Sequence, residues 1–205
     1  MSSFDDIRKS VILFINRAIE PKRKICGNKD SNSHFITLFA LALSLRAKRI
    51  LELGVRNGGT TLPLLSAAHM YGGQVDSVDI KQHRFKCPAQ LRDSWTFHLS
   101  DSISFLEQCD EDRPYRLIFI DDYHAHEHVA NELRLIEKLV TPRSVILLHD
   151  TMPRSVPYYN NDNSMVDEQY ASGGPYRALK ELDKTKWEFS TIPVCNGLTM
   201  LRKYE

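Results

Sequence analysis

The spacing of hydrophobic positions changes along the chain, and it first predicts two helices. Residues 3–19 carry apolar side chains in steps of three and four, which is the spacing of an amphipathic helix. A polar stretch over residues 21–33, with three lysines, one arginine and a Gly-Asn pair, predicts a loop. Residues 33–47 are apolar on most sides and predict a buried helix.

From residue 49 onwards, short apolar runs alternate with helical segments. We expect strands at residues 49–55, 74–80, 95–99, 115–121 and 145–149. We expect helices between them at residues 60–71, 102–109 and 126–140. Strands that alternate with helices imply crossover connections and a parallel sheet that is covered on both faces.

The end of the chain predicts a different pairing. A helix is expected at residues 175–185, followed by strands at 187–192 and 198–202. The short connection between these strands contains Asn196-Gly197, which is a hairpin signal. The predicted fold is therefore α/β, with a doubly wound, mostly parallel seven-stranded sheet that ends in an antiparallel hairpin.

A long irregular segment over residues 151–174 interrupts this pattern. It is rich in Pro, Asn, Asp, Ser and Tyr. Long loops of this kind in compact domains are usually functional or disordered. We interpret the segment as a candidate lid that excludes water through Tyr158, Tyr159 and Tyr170, and an insertion without function stays open.

Length and charge limit the classes of partner. The chain has 205 residues, which suits one domain with an added arm, so we divide it into an arm or cap at 1–47 and a main domain at 48–205. The formal net charge is +1. Nucleic-acid binders usually show a strong basic bias, so no nucleic-acid partner is expected. The helix at 3–19 could cover a second copy, which would make the protein a homo-oligomer.

The cysteines and the apolar runs bear on the cellular compartment in which the protein is expected. Cys26, Cys87, Cys109 and Cys195 are dispersed and form no C-x-x-C pair, so free thiols in a reducing cytosol are expected. No signal peptide is predicted, and the longest apolar stretch, 38–43, is too short to span a bilayer. We therefore expect a cytoplasmic protein with no membrane partner.

Glycines cluster in the turn after the first predicted strand. Gly54, Gly58 and Gly59 would let a ligand approach the backbone there. A dinucleotide fingerprint needs a further glycine where Arg56 stands, and the Gly-Lys-Ser/Thr of a P-loop is absent. The turn alone leaves open whether it binds a nucleotide or only connects a strand to a helix.

Two acids follow the next two strands. Asp79 lies 25 positions after Gly54, close to the ~20-residue interval at which nucleotide folds place a ribose-binding acid. Asp101 and Ser102 follow the third strand. From the residues alone, Asp101 is a candidate N-cap of the following helix.

The densest chemical segment follows the fourth strand. It contains Asp121, Asp122 and His124, and the fifth strand delivers Asp150 to the same edge of the sheet. Two neighbouring carboxylates repel each other, and a bound cation would offset that cost. Oxygen ligands favour Mg²⁺ or Ca²⁺. A histidine such as His124 is mostly neutral at pH 7 and can accept a proton.

The run from Glu52 to Gly58, of the form E-x-G-x-x-x-G, resembles motif I of the class I S-adenosylmethionine (SAM)-dependent methyltransferases. The resemblance implies that the loop with Glu52, Gly54 and Gly58 wraps the methionine part of SAM. It also implies that Asp79 accepts hydrogen bonds from both ribose hydroxyls. The residues implied at the adenine edge are Asp101 and Ser102.

Two further motifs, F-I-D-x-x-H at residues 119–124 and L-H-D-T at 148–151, restrict the resemblance to one branch of these methyltransferases. They resemble the corresponding motifs of the macrocin-type sugar O-methyltransferases, the cephalosporin-hydroxylase-like proteins and the catechol-type O-methyltransferases. This implies that Asp121 and Asp150 hold a divalent metal, Mg²⁺ or another cation, and that His124 is the catalytic base. The sequence departs from the catechol type at Thr151, where an Asn is usual, and from the sugar type at His149, where a Glu is usual.

The resemblance spans residues 48–203 and implies SAM-dependent methyl transfer to a hydroxyl of a small molecule, either a sugar or a phenol. Two alternatives stay open. A metallohydrolase would use the cluster of Asp121, His124, His126 and His128, and a non-catalytic subunit would keep only the SAM fold. A dinucleotide oxidoreductase is disfavoured by Arg56.

Overall fold

A computed structural model of the protein describes residues 31–152 and 173–205. The predicted helix at 3–19 and most of the polar loop at 21–33 lie outside the described residues. The same is true of most of the segment 151–174, including its three tyrosines. These expectations stay predictions.

Seven strands and five α-helices alternate within the described residues. The helices are α1 (Phe35–Ser44), α2 (Thr61–Met70), α3 (Ser102–Glu107), α4 (His126–Ile136) and α5 (Gly174–Glu181). The strands are β1 (Arg49–Leu53), β2 (Gln74–Asp79), β3 (Trp95–Leu99), β4 (Leu117–Ile120), β5 (Val145–His149), β6 (Trp187–Ile192) and β7 (Leu198–Lys203). Short 3₁₀ turns precede α1 at Ser31–His34 and β3 at Ala89–Ser94.

All seven strands form one sheet in the order β3-β2-β1-β4-β5-β7-β6. Strands β1 to β5 run parallel, whereas β7 is antiparallel to both β5 and β6. The turn between β6 and β7 contains Cys195, Asn196 and Gly197, all with positive φ. The predicted doubly wound, mostly parallel sheet with an antiparallel hairpin at its end is confirmed.

Several helix ends differ from the sequence predictions. The helix predicted at 33–47 ends at Ser44, and Arg46 at φ +47° then reverses the chain direction. The helix predicted to reach residue 140 ends at Ile136. Leu139 and Val140 are nevertheless buried, because the loop after α4 still packs against the core. Apolar spacing therefore predicted burial there correctly but could not distinguish a helix from a packed loop.

The core lies on both faces of the sheet, and β4 shows why its sequence does not alternate. Ile118 and Ile120 pack in the cluster that contains α4 and α5. Leu117 and Phe119 pack in the cluster that contains α1 and α2. All four side chains are buried, as expected for a parallel strand covered on both faces.

Helix α1 joins the second of these clusters through Leu38, Phe39 and Ala42, and it packs against α2. The predicted division of the chain at residue 47 stays a prediction. Within 31–152 and 173–205, none of the helices combines the length and the apolar composition that a bilayer crossing needs.

The strand order reverses at β1, which lies between β2 and β4. The last residues of the two central strands, Leu53 and Ile120, are partners in the sheet. In open α/β sheets, ligands bind beyond the carboxyl ends of the strands at such a reversal. The glycine turn after β1 and the acidic segment after β4 both begin there.

Candidate functional site

A cavity of about 570 Å³ opens beyond the carboxyl ends of β1 to β4. This volume is in the range of small-molecule and cofactor sites. The predicted site residues that line it are Gly54, Asp79, Asp101, Ser102 and Asp121. Glu52, Gly58, His124 and Asp150 do not belong to the lining. The structure therefore brings five of the nine predicted residues to one cavity and places the others around it.

Gly54 and Gly58 are required by close packing of the loop. Gly54 has φ +91°, and a Cβ atom there would lie 2.2 Å from the carbonyl oxygen of Asp121. Gly58 has φ +77°, and its Cβ would overlap the ring of Phe85. The two glycines thus let the loop after β1 pass against the end of β4 and against the segment after β2.

Glu52 lies beneath the glycine loop and is fully buried. Its carboxylate accepts hydrogen bonds from the hydroxyls of Thr60, Thr61 and Ser77, each at 2.7 Å. Burial raises the pKa of Glu52 to about 7, although these three hydrogen bonds oppose the shift. The carboxyl group ties β1 to β2 and to the start of α2, so it shapes the loop from below.

Glu52→Gln tests the buried carboxyl through the pH dependence of stability. Between pH 4.5 and about 7 the folded chain keeps a proton that the unfolded chain has lost, so the free energy of unfolding falls as pH rises. The full shift corresponds to about 3 kcal/mol. Denaturant unfolding of wild type should therefore lose about this much relative to Glu52→Gln between pH 4 and pH 8.

Glu107→Gln, at an exposed position on α3, is the matched control for this measurement and should follow the wild-type curve. Parallel pH profiles for wild type and Glu52→Gln would contradict a raised pKa at Glu52.

Asp79 holds the glycine loop from the end of β2. One of its oxygens accepts hydrogen bonds from the backbone N–H groups of Val55, at 3.0 Å, and Arg56, at 3.1 Å. The other accepts from the N–H of Lys81 at 2.9 Å. Arg56 lies at φ +46°, a conformation that costs a non-glycine residue energy and is here supported by the Asp79 carboxylate. Asp79 thus orders the loop at the edge of the cavity.

Asp101 and Ser102 form the far wall of the cavity. The Asp101 carboxylate accepts a hydrogen bond from the N–H of Ser104 at 3.0 Å, which confirms Asp101 as the N-cap of α3. The hydroxyl of Ser102, which is buried, lies 3.0 Å from Nε2 of His128 on α4. This wall is therefore linked to the residues that follow β4.

Asp121, His124, His149 and Asp150, which we call the strand-end cluster, converge beyond β4 and β5. Nδ1 of His149 lies 3.1 Å from Asp121 Oδ1 and 3.3 Å from Asp150 Oδ2. Nε2 of His124 lies 3.4 Å from Asp121 Oδ1 and 2.9 Å from Asp150 Oδ2. Asp150 has φ +56°, a strained conformation of the kind that clusters at functional sites.

His149 is fixed by a carbonyl on its far side. Its Nε2 lies 3.0 Å from the carbonyl oxygen of Cys195, and a carbonyl can only accept, so Nε2 carries the hydrogen. In the neutral ring, the lone pair is then on Nδ1 and points towards Asp121 and Asp150. A backbone carbonyl that fixes the ring in this way is typical of metal-binding histidines.

Charges within the strand-end cluster shift the pKa values strongly. Burial lowers the pKa of His124 and of His149, but the contacts with Asp121 and Asp150 outweigh it and raise them to about 9 and about 10. The same contacts outweigh burial at the carboxyl groups and lower the pKa of both aspartates. In this arrangement His124 carries a proton at pH 7, so a role as a base requires a cation to compete for the two carboxylates.

The donor set of the strand-end cluster fits a divalent cation. Four potential ligand atoms, one from each residue, all lie within 4.8 Å of one another. The contacts of 2.9–3.4 Å between them lie within the separations of about 2.8–3.6 Å that neighbouring ligands of an octahedral or tetrahedral ion have. Two imidazoles favour Zn²⁺, Mn²⁺ or a similar transition metal over Mg²⁺.

A separate group, Asp122, His128 and Glu132, lies between the cavity and α4, and we call it the α4 cluster. Nε2 of His128 lies 3.5 Å from Asp122 Oδ2 and 3.4 Å from Glu132 Oε1. Glu132 is fully buried, and burial followed by repulsion from Asp122 raises its pKa to about 8. Asp122 and His128 line the cavity, whereas Glu132 lies behind them.

The three histidines after β4 do not converge. His124 belongs to the strand-end cluster and His128 to the α4 cluster, while Nε2 of His126 pairs with Glu181 Oε2 at 2.7 Å. A metallohydrolase site built from all three therefore lacks the geometry it needs. Thr151 does not belong to the strand-end cluster. Its hydroxyl accepts a hydrogen bond from the hydroxyl of Thr199.

Sequence reasoning did not assign three of the residues found here. His149 stood out only as a departure from a sugar-type pattern, although its place at a strand end was a signal for the site. Glu132 had a weaker signal, a charged residue on the buried face of a predicted helix. His34 had none, yet its buried ring meets His149 edge-on at 5.4 Å between centroids.

Comparisons with known proteins agree with this arrangement. Residues 51–151 match a family model described as a methyltransferase domain. Among curated proteins, none matches the chain. Many solved structures share the fold.

One similar structure is an O-methyltransferase from Bacillus cereus in complex with S-adenosylhomocysteine (SAH), with 17% identity, a TM-score of 0.66 and coverage of 95% of this chain and 97% of that chain. Another is the SAM-bound O-methyltransferase TomG from Streptomyces achromogenes, involved in tomaymycin synthesis, with 15% identity, a TM-score of 0.66 and 96% coverage of each chain. A third is the SAH-bound methyltransferase PaMTH1 from Podospora anserina, with 14% identity, a TM-score of 0.62 and coverage of 100% and 98%. Residues 51–151 therefore match a methyltransferase domain, and the chain shares its fold with SAM- and SAH-bound methyltransferases.

Proposed function

We propose that the protein transfers the methyl group of SAM to a hydroxyl of a small molecule, with the help of a divalent cation. One observation carries the proposal: the strand-end cluster, which fits a cation, lies at the same sheet edge as the cavity, and Asp121 belongs to both. A methyl donor in the cavity and an acceptor at the cluster would meet at Asp121.

The cavity supplies groups of the right chemistry for SAM. Asp79 would accept hydrogen bonds from the ribose hydroxyls, because a carboxylate that holds backbone amides still has free lone pairs. Asp101 and Ser102 would lie at the adenine edge. Ile80, which is 70% exposed at the rim, offers an apolar surface to the ring. The turn at Gly54 would face the methionine part.

Glu52 and Gly58 would act on the cofactor through the loop rather than by direct contact. Glu52 holds the loop from below, and Gly58 admits Phe85 at the side of the loop that is away from the cavity lining. Substitution of Glu52 or Gly58 would therefore lower SAM affinity by changing the conformation of the turn at Gly54.

Asp121, Asp150 and His149 would hold the cation, with Asp121 and Asp150 as its anionic ligands. Such a cation, when bound, lowers the pKa of an acceptor hydroxyl. His124 would take the acceptor proton once a cation engages the two carboxylates, because the contacts that raise its pKa would then be weakened. Most of the rate would come from positioning, because the sulfonium methyl of SAM is already activated.

The acceptor is proposed at the level of a class. Small phenols and sugars both present hydroxyls that a cation at the strand-end cluster could bind. TomG, which shares the fold, is an O-methyltransferase involved in tomaymycin synthesis. We further propose a cytoplasmic location, with the homo-oligomer from the predicted helix at 3–19 as a separate hypothesis.

A chelator should abolish the activity. SAH formation from SAM would be measured with a panel of catechols, other phenols and sugars. For any acceptor that reacts, dialysis against EDTA should lower the rate by about 100-fold or more, and added Mg²⁺, Mn²⁺ or Zn²⁺ should restore it. Full activity after removal of all metal, checked by elemental analysis, would remove the cation from the proposal. SAH binding without turnover across the panel would favour a non-catalytic subunit.

A further inference from the structure

The α4 cluster joins the fully buried Glu132 to Asp122 and His128, which line the cavity. Within the described residues, His128 is the one basic side chain within ion-pair distance of Asp122 or Glu132. Both oxygens of Glu132, and Oδ1 of Asp122, are buried and make no hydrogen bond within the described residues. Buried polar atoms without a partner are costly, so a group that these three oxygens could bind would stabilise the cluster.

The distances within the α4 cluster are also unusual for hydrogen bonds. His128 Nε2 lies 3.4 Å from Glu132 Oε1 and 3.5 Å from Asp122 Oδ2. A charge-assisted N–H···O bond is normally about 2.7–2.9 Å long. Ligands at about 2.0–2.2 Å from a tetrahedral ion are separated by about 3.3–3.6 Å. The separations between His128 and the two carboxylates therefore suit ligands around one ion.

We propose that Asp122, His128 and Glu132 bind a second divalent transition-metal ion, separate from the strand-end cluster. The three ligand atoms lie within 4.8 Å of one another. Two carboxylates and one imidazole suit Zn²⁺ or Mn²⁺, since the imidazole disfavours Mg²⁺ and Ca²⁺. The hydroxyl of Ser102 lies 3.0 Å from His128 Nε2, so it is a further oxygen next to the proposed site.

This ion has a structural role in the protein. Asp122 begins the segment after β4, and Glu132 and His128 lie one turn apart on α4. A shared ion fixes Asp122 and His128 in the wall of the cavity while Glu132 anchors it from the core. The α4 cluster and the strand-end cluster share no residue, so a substitution can remove one ligand set and leave the other complete.

Zinc binding to the full chain tests the second site. Isothermal titration with Zn²⁺ at pH 7, on untagged protein stripped of metal, should give two equivalents for wild type and one for Glu132→Gln. Glu127→Gln, at an exposed position on the same helix, is the matched control and should keep two. Asp121→Asn should lose the strand-end equivalent and keep the one at the α4 cluster, so failure at one site is distinguishable from failure at the other.

Two outcomes would overturn the inference. Glu132→Gln could bind as much Zn²⁺ as wild type, or the only equivalent could be the one that Asp121→Asn removes. Either result would mean that Asp122 and Glu132 share a proton instead of a metal. If Glu132→Gln does not fold, anomalous diffraction at the zinc edge from wild-type crystals decides the question. A peak between Asp122, His128 and Glu132 supports the site, and its absence excludes it.

Discussion

Asp121→Asn is expected to lower methyl transfer by about 10³-fold or more, because it removes an anionic ligand from a cation that supplies several kcal/mol. Asp121 contacts both histidines of the strand-end cluster and also lines the cavity. Asparagine keeps the size of the side chain and one acceptor oxygen, but it loses the charge. The measurement is SAH formation at saturating SAM, together with the metal content of the protein.

Asp93→Asn, at an exposed position before β3, is the matched control and should keep both activity and metal. Thermal unfolding shows whether Asp121→Asn is folded, since a buried carboxylate that pairs with two imidazoles also contributes to stability. Wild-type activity in a folded Asp121→Asn variant would contradict the proposed metal site. Loss of metal with unchanged activity would show that Asp121 binds a cation in wild type but that the cation takes no part in the reaction.

Asp79→Ala should weaken SAH binding by about 100-fold or more, since two charge-assisted hydrogen bonds to ribose contribute roughly 1.5–3 kcal/mol each. Calorimetry with SAH measures the effect. Asp112→Ala, at an exposed position far along the chain, is the control. Unchanged affinity in Asp79→Ala would exclude the ribose assignment.

Asp79 also holds the amides of Val55 and Arg56, so a weaker affinity alone could reflect a loosened loop. A 2′-deoxy analogue of SAH separates the two causes. If Asp79 binds the ribose, wild type should prefer SAH to the analogue and Asp79→Ala should not, because the two changes remove the same interaction. If both proteins discriminate equally, Asp79 acts only on the loop.

The predicted and observed folds agree because the fold depends on short-range patterns. Short apolar runs, helical spacing, the glycines at strand ends and the Asn-Gly turn each act over a few residues. Element ends were less accurate, as at α4, where Leu139 and Val140 are buried outside the helix. Burial is what apolar spacing reports, and a packed loop satisfies it as well as a helix does.

The residues of the candidate site also include some that the sequence predicted and some that it did not. The positions of Asp79, Asp121 and Asp150 follow from the strand ends, so sequence reasoning could place them at one sheet edge. The position of His124, His126 and His128 at the start of a helix already argued against their convergence, but the partner of each could not be predicted, because it depends on residues that fold next to it. The same holds for His149, whose tautomer is set by the carbonyl of Cys195.

By itself, the sequence determined the α/β sheet, the glycine turn and the set of acids at the strand ends, because hydrophobic period and turn chemistry are local properties. Only the tertiary structure decided that Glu52 lies beneath the loop, that two histidines join the two aspartates, and that Glu132 is buried behind the cavity. The physical reason is that burial, charge compensation and ligand distance depend on neighbours that are far apart in the chain and meet only after folding.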